Sequence, residues 1–219
     1  LKAIDSLKSR FFANIAHEFR TPLHLILGPL RTHQQNQIPE HELGMMQRNA
    51  HRLLRLVNQL MDLSKLEVGE LQLEYQSADI FAFLRTITDS FLPLTGEKQI
   101  TYQVDIPLRP APTKFDPDKL EKIVYNLLSN AIKFTPPEGK VSIYASMEPD
   151  HRLRLSVSDT GLGILPELQD KIFDRFYQVD GSNTRAFEGT GIGLSLVQEL
   201  VDLHGGTISL DSAEQQGTT

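Results

Sequence analysis

No cysteine occurs among the 219 residues. Disulfides and thiolate zinc sites are therefore excluded. No run of about 18 apolar residues occurs either, so no segment reads as a membrane span. The opening stretch, LKAIDSLKSRFF, lacks the apolar centre and small-residue cleavage site of a secretory signal. Positive charge is in deficit. The formal net charge is -6, whereas nucleic-acid binders need a cationic excess to displace counterions, so no direct nucleic-acid partner is expected. Internal repeats and low-complexity segments are missing. So are three familiar nucleotide signatures. There is no G-x-x-x-x-G-K-[ST] loop. Gly161-Leu162-Gly163-Ile164-Leu165-Pro166 has proline where a dinucleotide fingerprint has its third glycine. Neither H-R-D nor D-F-G is found.

What remains is an ordinary globular composition, 40% hydrophobic and 23% charged, long enough for one large domain or two small ones. From Leu7 to Thr32 the apolar positions Phe12, Ile15, Phe19, Leu23, Ile26 and Leu30 recur every three or four residues and predict an amphipathic helix, with Pro22 expected to kink it. The polar stretch from Gln34 to Pro39 predicts a loop. Leu43, Met46, Ala50, Leu53, Val57, Leu60 and Ser64 then follow a coiled-coil spacing. Two such helices form a hairpin that cannot bury both apolar faces alone, so self-association into a four-helix bundle is expected.

At Val68-Gly69-Glu70 the texture changes, which divides the chain into a hairpin over 1–68 and a second domain over 69–219. Strands are predicted at Leu71–Tyr75, Ile100–Ile106, Lys140–Met147, Arg152–Ser158 and Thr207–Leu210. Helices are predicted at Ile80–Leu94, Asp116–Phe134, Pro166–Phe173 and Gly193–His204, and a polar loop over Gln178–Gly189. Strands between helices suggest an α/β sandwich. The chain opens mid-helix and stops at Gly217-Thr218-Thr219 without a terminal element, so it reads as a piece of a longer protein.

The chemistry gathers in the second domain. Asn126, Asn130 and Lys133 share one face of their predicted helix. Two amides and an ammonium on one stripe suit a Mg²⁺–triphosphate, although such residues are also commonly just solvated. The strand ending in Asp159 runs into Thr160-Gly161-Leu162-Gly163. A carboxylate there can accept a hydrogen bond from an adenine amine, and glycines let backbone approach the base. Gly189-Thr190-Gly191-Ile192-Gly193 opens the next helix and offers backbone N–H groups to anions.

The segments NLLSNAIKF (Asn126–Phe134), DTGLGI (Asp159–Ile164), IFDRFYQ (Ile172–Gln178) and GTGIGLSL (Gly189–Leu196) resemble, in order, the N, G1, F and G2 boxes of sensor histidine kinases. The resemblance implies a Bergerat ATP-binding fold, with ATP and Mg²⁺ bound. Asn130 would be the main Mg²⁺ ligand with Asn126 nearby, and Lys133 would contact phosphate, with Phe134 closing the box. Asp159 would bind the adenine amine, with Gly161, Gly163 and Ile164 along the base. Gly189, Thr190, Gly191, Gly193 and Leu194 would surround the phosphates, and the stretch from Phe176 to Gly189 would form the lid. Hydrolytic relatives place a water-activating glutamate four residues before the first asparagine, where this chain has Lys122. Transfer to another nucleophile therefore fits better than hydrolysis.

The phrase from Phe11 to Pro22 resembles the H box of the same family. His17 lies off the apolar seam and should be accessible. Imidazole is a competent nucleophile at neutral pH. Glu18 can take the proton shared by the second ring nitrogen. Thr21 would orient a water for dephosphorylating a partner. His24 shares the face of His17 but is followed by Leu25, not a carboxylate. The resemblance thus implies a homodimeric kinase core that phosphorylates His17 and hands the phosphoryl group to an aspartate of a response-regulator receiver domain. It would be the cytoplasmic part of a membrane sensor, anchored only through segments outside this chain. Two other readings stay open here: a module that binds ATP without chemistry, and an ATPase machine.

Overall fold

The computed structural model describes residues 2–33, 37–175, 177 and 191–219. The chain divides into two compact units, Leu1–Leu71 with Arg175–Leu196 and Gln72–Asp174 with Val197–Thr219.

The first unit holds the hairpin of α1 (Lys2–Thr32) and α2 (Glu40–Glu67). Helix α1 passes through Pro22 and Pro29 without interruption. Pro22 removes the N–H that would bond the Glu18 carbonyl, so the ladder has a gap one turn from His17. Helix α2 starts with Glu40 and Glu42 in its first turn, where acidic side chains complement the dipole. It ends in a Schellman turn: Gly69 adopts φ 70°, its N–H bonds Leu66 O, and the Glu70 N–H bonds Lys65 O. Ile15 and Leu63 are buried between the helices. Much of the predicted α2 seam is open within one chain, with Leu43 44% and Val57 41% exposed.

The second unit is an α/β sandwich. After β1 (Gln76–Asp79) come α3 (Ile80–Asp89), α4 (Leu92–Glu97), β2 (Thr101–Asp105), β3 (Pro112–Phe115), α5 (Pro117–Phe134), β4 (Lys140–Met147), β5 (Leu153–Asp159), α6 (Pro166–Gln169), α7 (Gly193–Leu203, which starts in the first unit), β6 (Ser212–Ala213) and β7 (Gly217–Thr218). The larger sheet has the order β2-β4-β5-β7-β6, and β1 pairs with β3 in a separate ribbon. Among the described residues only the β2–β4 pair is parallel. One face of β4 presents Val141, Ile143 and Ala145 to a core shared with Phe81, Leu84, Val124, Leu128 and Ile132. The alternation along β4 and the helical spacing along α5 are what bring those apolar groups together.

Several predicted boundaries are corrected. Leu71–Tyr75 is not a strand; Tyr75 is exposed, the Glu74 N–H bonds the Asp116 side chain, and pairing begins at Gln76 opposite Phe115. The helix predicted over 80–94 is two helices. The hydroxyls of Thr88 and Ser90 bond backbone carbonyls at the end of α3, and Pro93 fits only the opening turn of a new helix. Helix α6 stops at Gln169 rather than reaching Phe173. Thr207–Leu210 is not a strand: Ile208 and Leu210 line a groove with Phe173 and Gln198 instead of joining a ladder. The last residues do form an element, since β7 lies between β5 and β6 with Thr218 opposite Asp159. Strand β3 was not anticipated, because prolines at 110 and 112 argue against a strand and only an edge position tolerates them.

Candidate functional site

Helix α5 starts where Asp116 caps it, its carboxylate accepting from the Lys119 N–H at 3.1 Å. Leu120, Ile123, Val124, Leu128 and Ala131 are buried, which turns Asn126, Asn130 and Lys133 to the other face, where all three are half-buried. The Asn126 amide donates to Lys122 O at 2.7 Å. Lys133 Nζ stands 4.8 Å from the centre of the Phe134 ring. The Lys122 ammonium donates to Asp118 at 2.9 Å, so the position where a water-activating carboxylate would sit holds a cation already in an ion pair. Burial works to raise the Asp118 pKa, but Lys119 and Lys122 outweigh it and hold the carboxylate ionised below its usual range.

Strand β5 delivers Asp159 to the edge of this face. Gly161 is buried, and a Cβ on it would lie 2.6 Å from Phe134 O and 2.7 Å from the Asp159 carboxylate. No side chain fits there, so the glycine loop can close on the last turn of α5 only as glycine. Gly163 takes φ 65°, and a Cβ there would overlap the Ala213 carbonyl. Asp159 accepts from the Gly161 N–H at 2.8 Å. Burial pushes its pKa above the ordinary value, with the Gly161 and Thr218 N–H groups pulling the other way. The carboxylate is thus partly stripped of water, a state that a hydrogen bond from an exocyclic amine would relieve. Asn126, Asn130, Lys133, Phe134, Asp159, Gly161, Gly163 and Ile164 all lie within the second unit.

Gly191, Ile192, Gly193 and Leu194 fall in the first unit. Gly191 has φ 69° and Gly193 begins α7, with buried Ile192 accepting from the Ser195 hydroxyl and the Leu196 N–H. Phe176, Gly189 and Thr190, and most of the expected lid, lie outside the described residues.

On α1, His17 is exposed, as its place off the seam requires. The Thr21 hydroxyl, one turn on, donates to His17 O at 3.4 Å. Glu18 is 4% exposed, and its Oε2 accepts from Arg52 at 2.7 Å. The carboxylate next to His17 is therefore anchored to α2. Arg52 escaped sequence reasoning because its partner is 34 positions away and no local spacing connects them.

Residues 7–69 match the His Kinase A (phospho-acceptor) domain, and residues 115–219 match the histidine kinase-, DNA gyrase B-, and HSP90-like ATPase family. The chain belongs to the sensor histidine kinases. It is 40% identical over 225 residues to hybrid signal transduction histidine kinase D of Dictyostelium discoideum and 42% identical over 228 residues to sensor histidine kinase TmoS of Ectopseudomonas mendocina. Each match covers 99% of this chain but only 15% and 23% of those relatives. Among solved structures, full-length ShkA in complex with AMPPNP aligns with a TM-score of 0.66 at 30% identity, over 98% of this chain and 44% of that one. The two matched segments are thus a phospho-acceptor hairpin carrying His17 and an ATPase module carrying the asparagine face and Asp159.

Proposed function

We propose that this histidine kinase core binds Mg-ATP in its ATPase segment, residues 115–219, and transfers the γ-phosphoryl group to His17. The observation that carries the reading is the coexistence in one chain of an exposed histidine inside a phospho-acceptor match and a glycine-lined, desolvated carboxylate inside an ATPase match. A ring nitrogen of His17 forms the N–P bond as the bond from Pγ to the ADP oxygen breaks. The proton on the other nitrogen is shared with a carboxylate, for which Glu18 is the neighbour. With Oε2 held by Arg52, Glu18 would use its other oxygen.

Asp159 would accept the adenine amine, Asn130 and Asn126 would offer amide oxygens to the metal, and Lys133 would neutralise phosphate charge. Bound Mg²⁺ would offset charge on the phosphate oxygens. Among the described residues no cluster of three His, Asp or Glu side chains could hold a metal alone; Mg²⁺ that keeps several waters and binds substrate phosphates needs few protein oxygens, and the asparagine amides would supply them. The glycines through Gly193 would receive the phosphates at the start of α7, and the stretch from Phe176 to Gly189 would cover them. The phosphoryl group then passes to an aspartate of a receiver domain, and Thr21 would orient water for the reverse, dephosphorylating reaction. The open apolar stripe of α2 supports a homodimer through the hairpin. Among the described residues no helix is long and apolar enough to cross a membrane. Because the proposed reaction consumes ATP, we read this core as the cytoplasmic portion of a membrane sensor.

Incubation with γ-labelled ATP tests the reading. Acid-labile label is expected on the protein, absent in His17→Gln and retained in His24→Gln. Label that persists in His17→Gln, or free phosphate with no labelled protein, overturns it.

A further inference from the structure

The adenine side of the proposed site is built on a loop with no ladder of its own. Ile164 belongs to neither helix nor strand, so its backbone groups need partners from elsewhere. Two side chains provide them. The Ser212 hydroxyl accepts from the Ile164 N–H at 2.9 Å. The Gln169 carboxamide donates one hydrogen to Ile164 O at 3.0 Å and the other to Ser212 O at 2.8 Å. Ser212 Oγ also lies 2.8 Å from Gly217 O and 2.9 Å from Thr218 Oγ1. The Thr218 N–H in turn is one of the donors that reach the Asp159 carboxylate. Neither side chain is needed for β6–β7 pairing, which is a backbone ladder.

We infer that Ser212 and Gln169 are positioning residues that set adenine selectivity by clamping the loop from Asp159 to Ile164. The inference rests on the proposed role of Asp159 as acceptor of the adenine amine. That contact is directional: the carboxylate and the glycine backbone must stand where the base edge arrives. An adenine base offers an amine there, whereas guanine offers a carbonyl that a carboxylate repels. Discrimination therefore depends on where the loop is held, while affinity for the triphosphate does not.

The experiment compares the full chain with its variants for binding of Mg-ATP, Mg-GTP and Mg-tripolyphosphate. Ser212→Ala should lower the ATP-over-GTP preference about five- to tenfold, the scale of one neutral hydrogen bond. Tripolyphosphate affinity should stay unchanged, and Ser212→Thr, which keeps the hydroxyl, should restore the preference. If Ser212→Ala does not fold, Gln169→Ala reads the same ratio and should move it in the same direction. A preference that survives in these variants, or equal losses for all three probes, overturns the inference. Asp159→Asn separates the two levels. Loss of preference in Asp159→Asn but not in the Ser212 and Gln169 variants defeats the clamp alone. Preference retained in Asp159→Asn defeats the adenine reading and the clamp with it.

Discussion

Asp159 pulls function and stability in opposite directions. Its folded-state pKa lies above the ordinary 3.8 because burial disfavours the charge. A carboxyl raised in this way costs stability when ionised, and that cost disappears as the pH falls through the raised value. Binding of an amine follows the opposite sign, since it wants the carboxylate and weakens over the same fall. Asp159→Asn should therefore leave the ligand-free protein at least as stable to heat at pH 7, because the side chain can still accept from Gly161 without a charge. It should weaken ATP binding about ten- to hundredfold, the worth of a charge-assisted hydrogen bond. Calorimetric titration and a melting curve on one preparation check both halves. A variant that melts well below the parent would mean the carboxylate is structural. Asp159 was legible in the sequence because a strand-end aspartate before two glycines is a local pattern. Arg52, Ser212 and the bond from Gln169 to Ser212 were not, because each joins groups 34 or more positions apart in the chain, and only folding brings them together.

Helix α5 holds two asparagines and a lysine on one stripe, so its axial placement matters as much as its residues. Both ends are tied. At the C-terminal end Lys98 donates to Ile132 O at 2.9 Å and Lys133 O at 3.2 Å, placing a cation on last-turn carbonyls where the helix dipole is negative. At the start, Asp116 is 1% exposed and uses one carboxylate oxygen for the Lys119 N–H and the other for the Glu74 N–H. Asp116→Ala removes a cap, worth about 1 kcal/mol, and strands a backbone donor, worth about 1–3 kcal/mol. Urea unfolding of the variant should show a loss of about 2–4 kcal/mol. A loss below about 0.5 kcal/mol, the ordinary surface value, would show that water replaces both bonds. The cap was readable from Asp116-Pro117, but its second task was not. That task depends on the Glu74 N–H reaching Asp116, and the alternation of Leu71, Leu73 and Tyr75 suggested a strand instead. Alternation reports which side chains find cover, not which backbone pairs. The same limit explains Thr207–Leu210, whose apolar residues find a groove rather than a ladder.

Across the whole molecule the fold class was legible because periodicity changes sharply near Gly69, from helical spacing to alternating strands and helices. The hairpin carries the clearest sign of incompleteness. Leu54 is 58% and Met61 53% exposed beside Val57 at 41%, all on a helix whose other side already packs Leu63 against α1. Each such side chain would gain about 1.5–3 kcal/mol on full burial, and a two-fold interface uses each residue twice. Val57→Glu should therefore introduce two unpaired carboxylates into the proposed bundle. At about 1.4 kcal/mol or more per copy, the dimer dissociation constant should rise at least about a hundredfold. Sedimentation at micromolar concentration should show the parent as a dimer and Val57→Glu as a monomer. ATP binding should persist, because Val57 lies outside the matched ATPase segment, residues 115–219. If the parent sediments as a monomer, or Val57→Glu stays dimeric, the α2 stripe is not the dimer seam and its exposure needs another occupant.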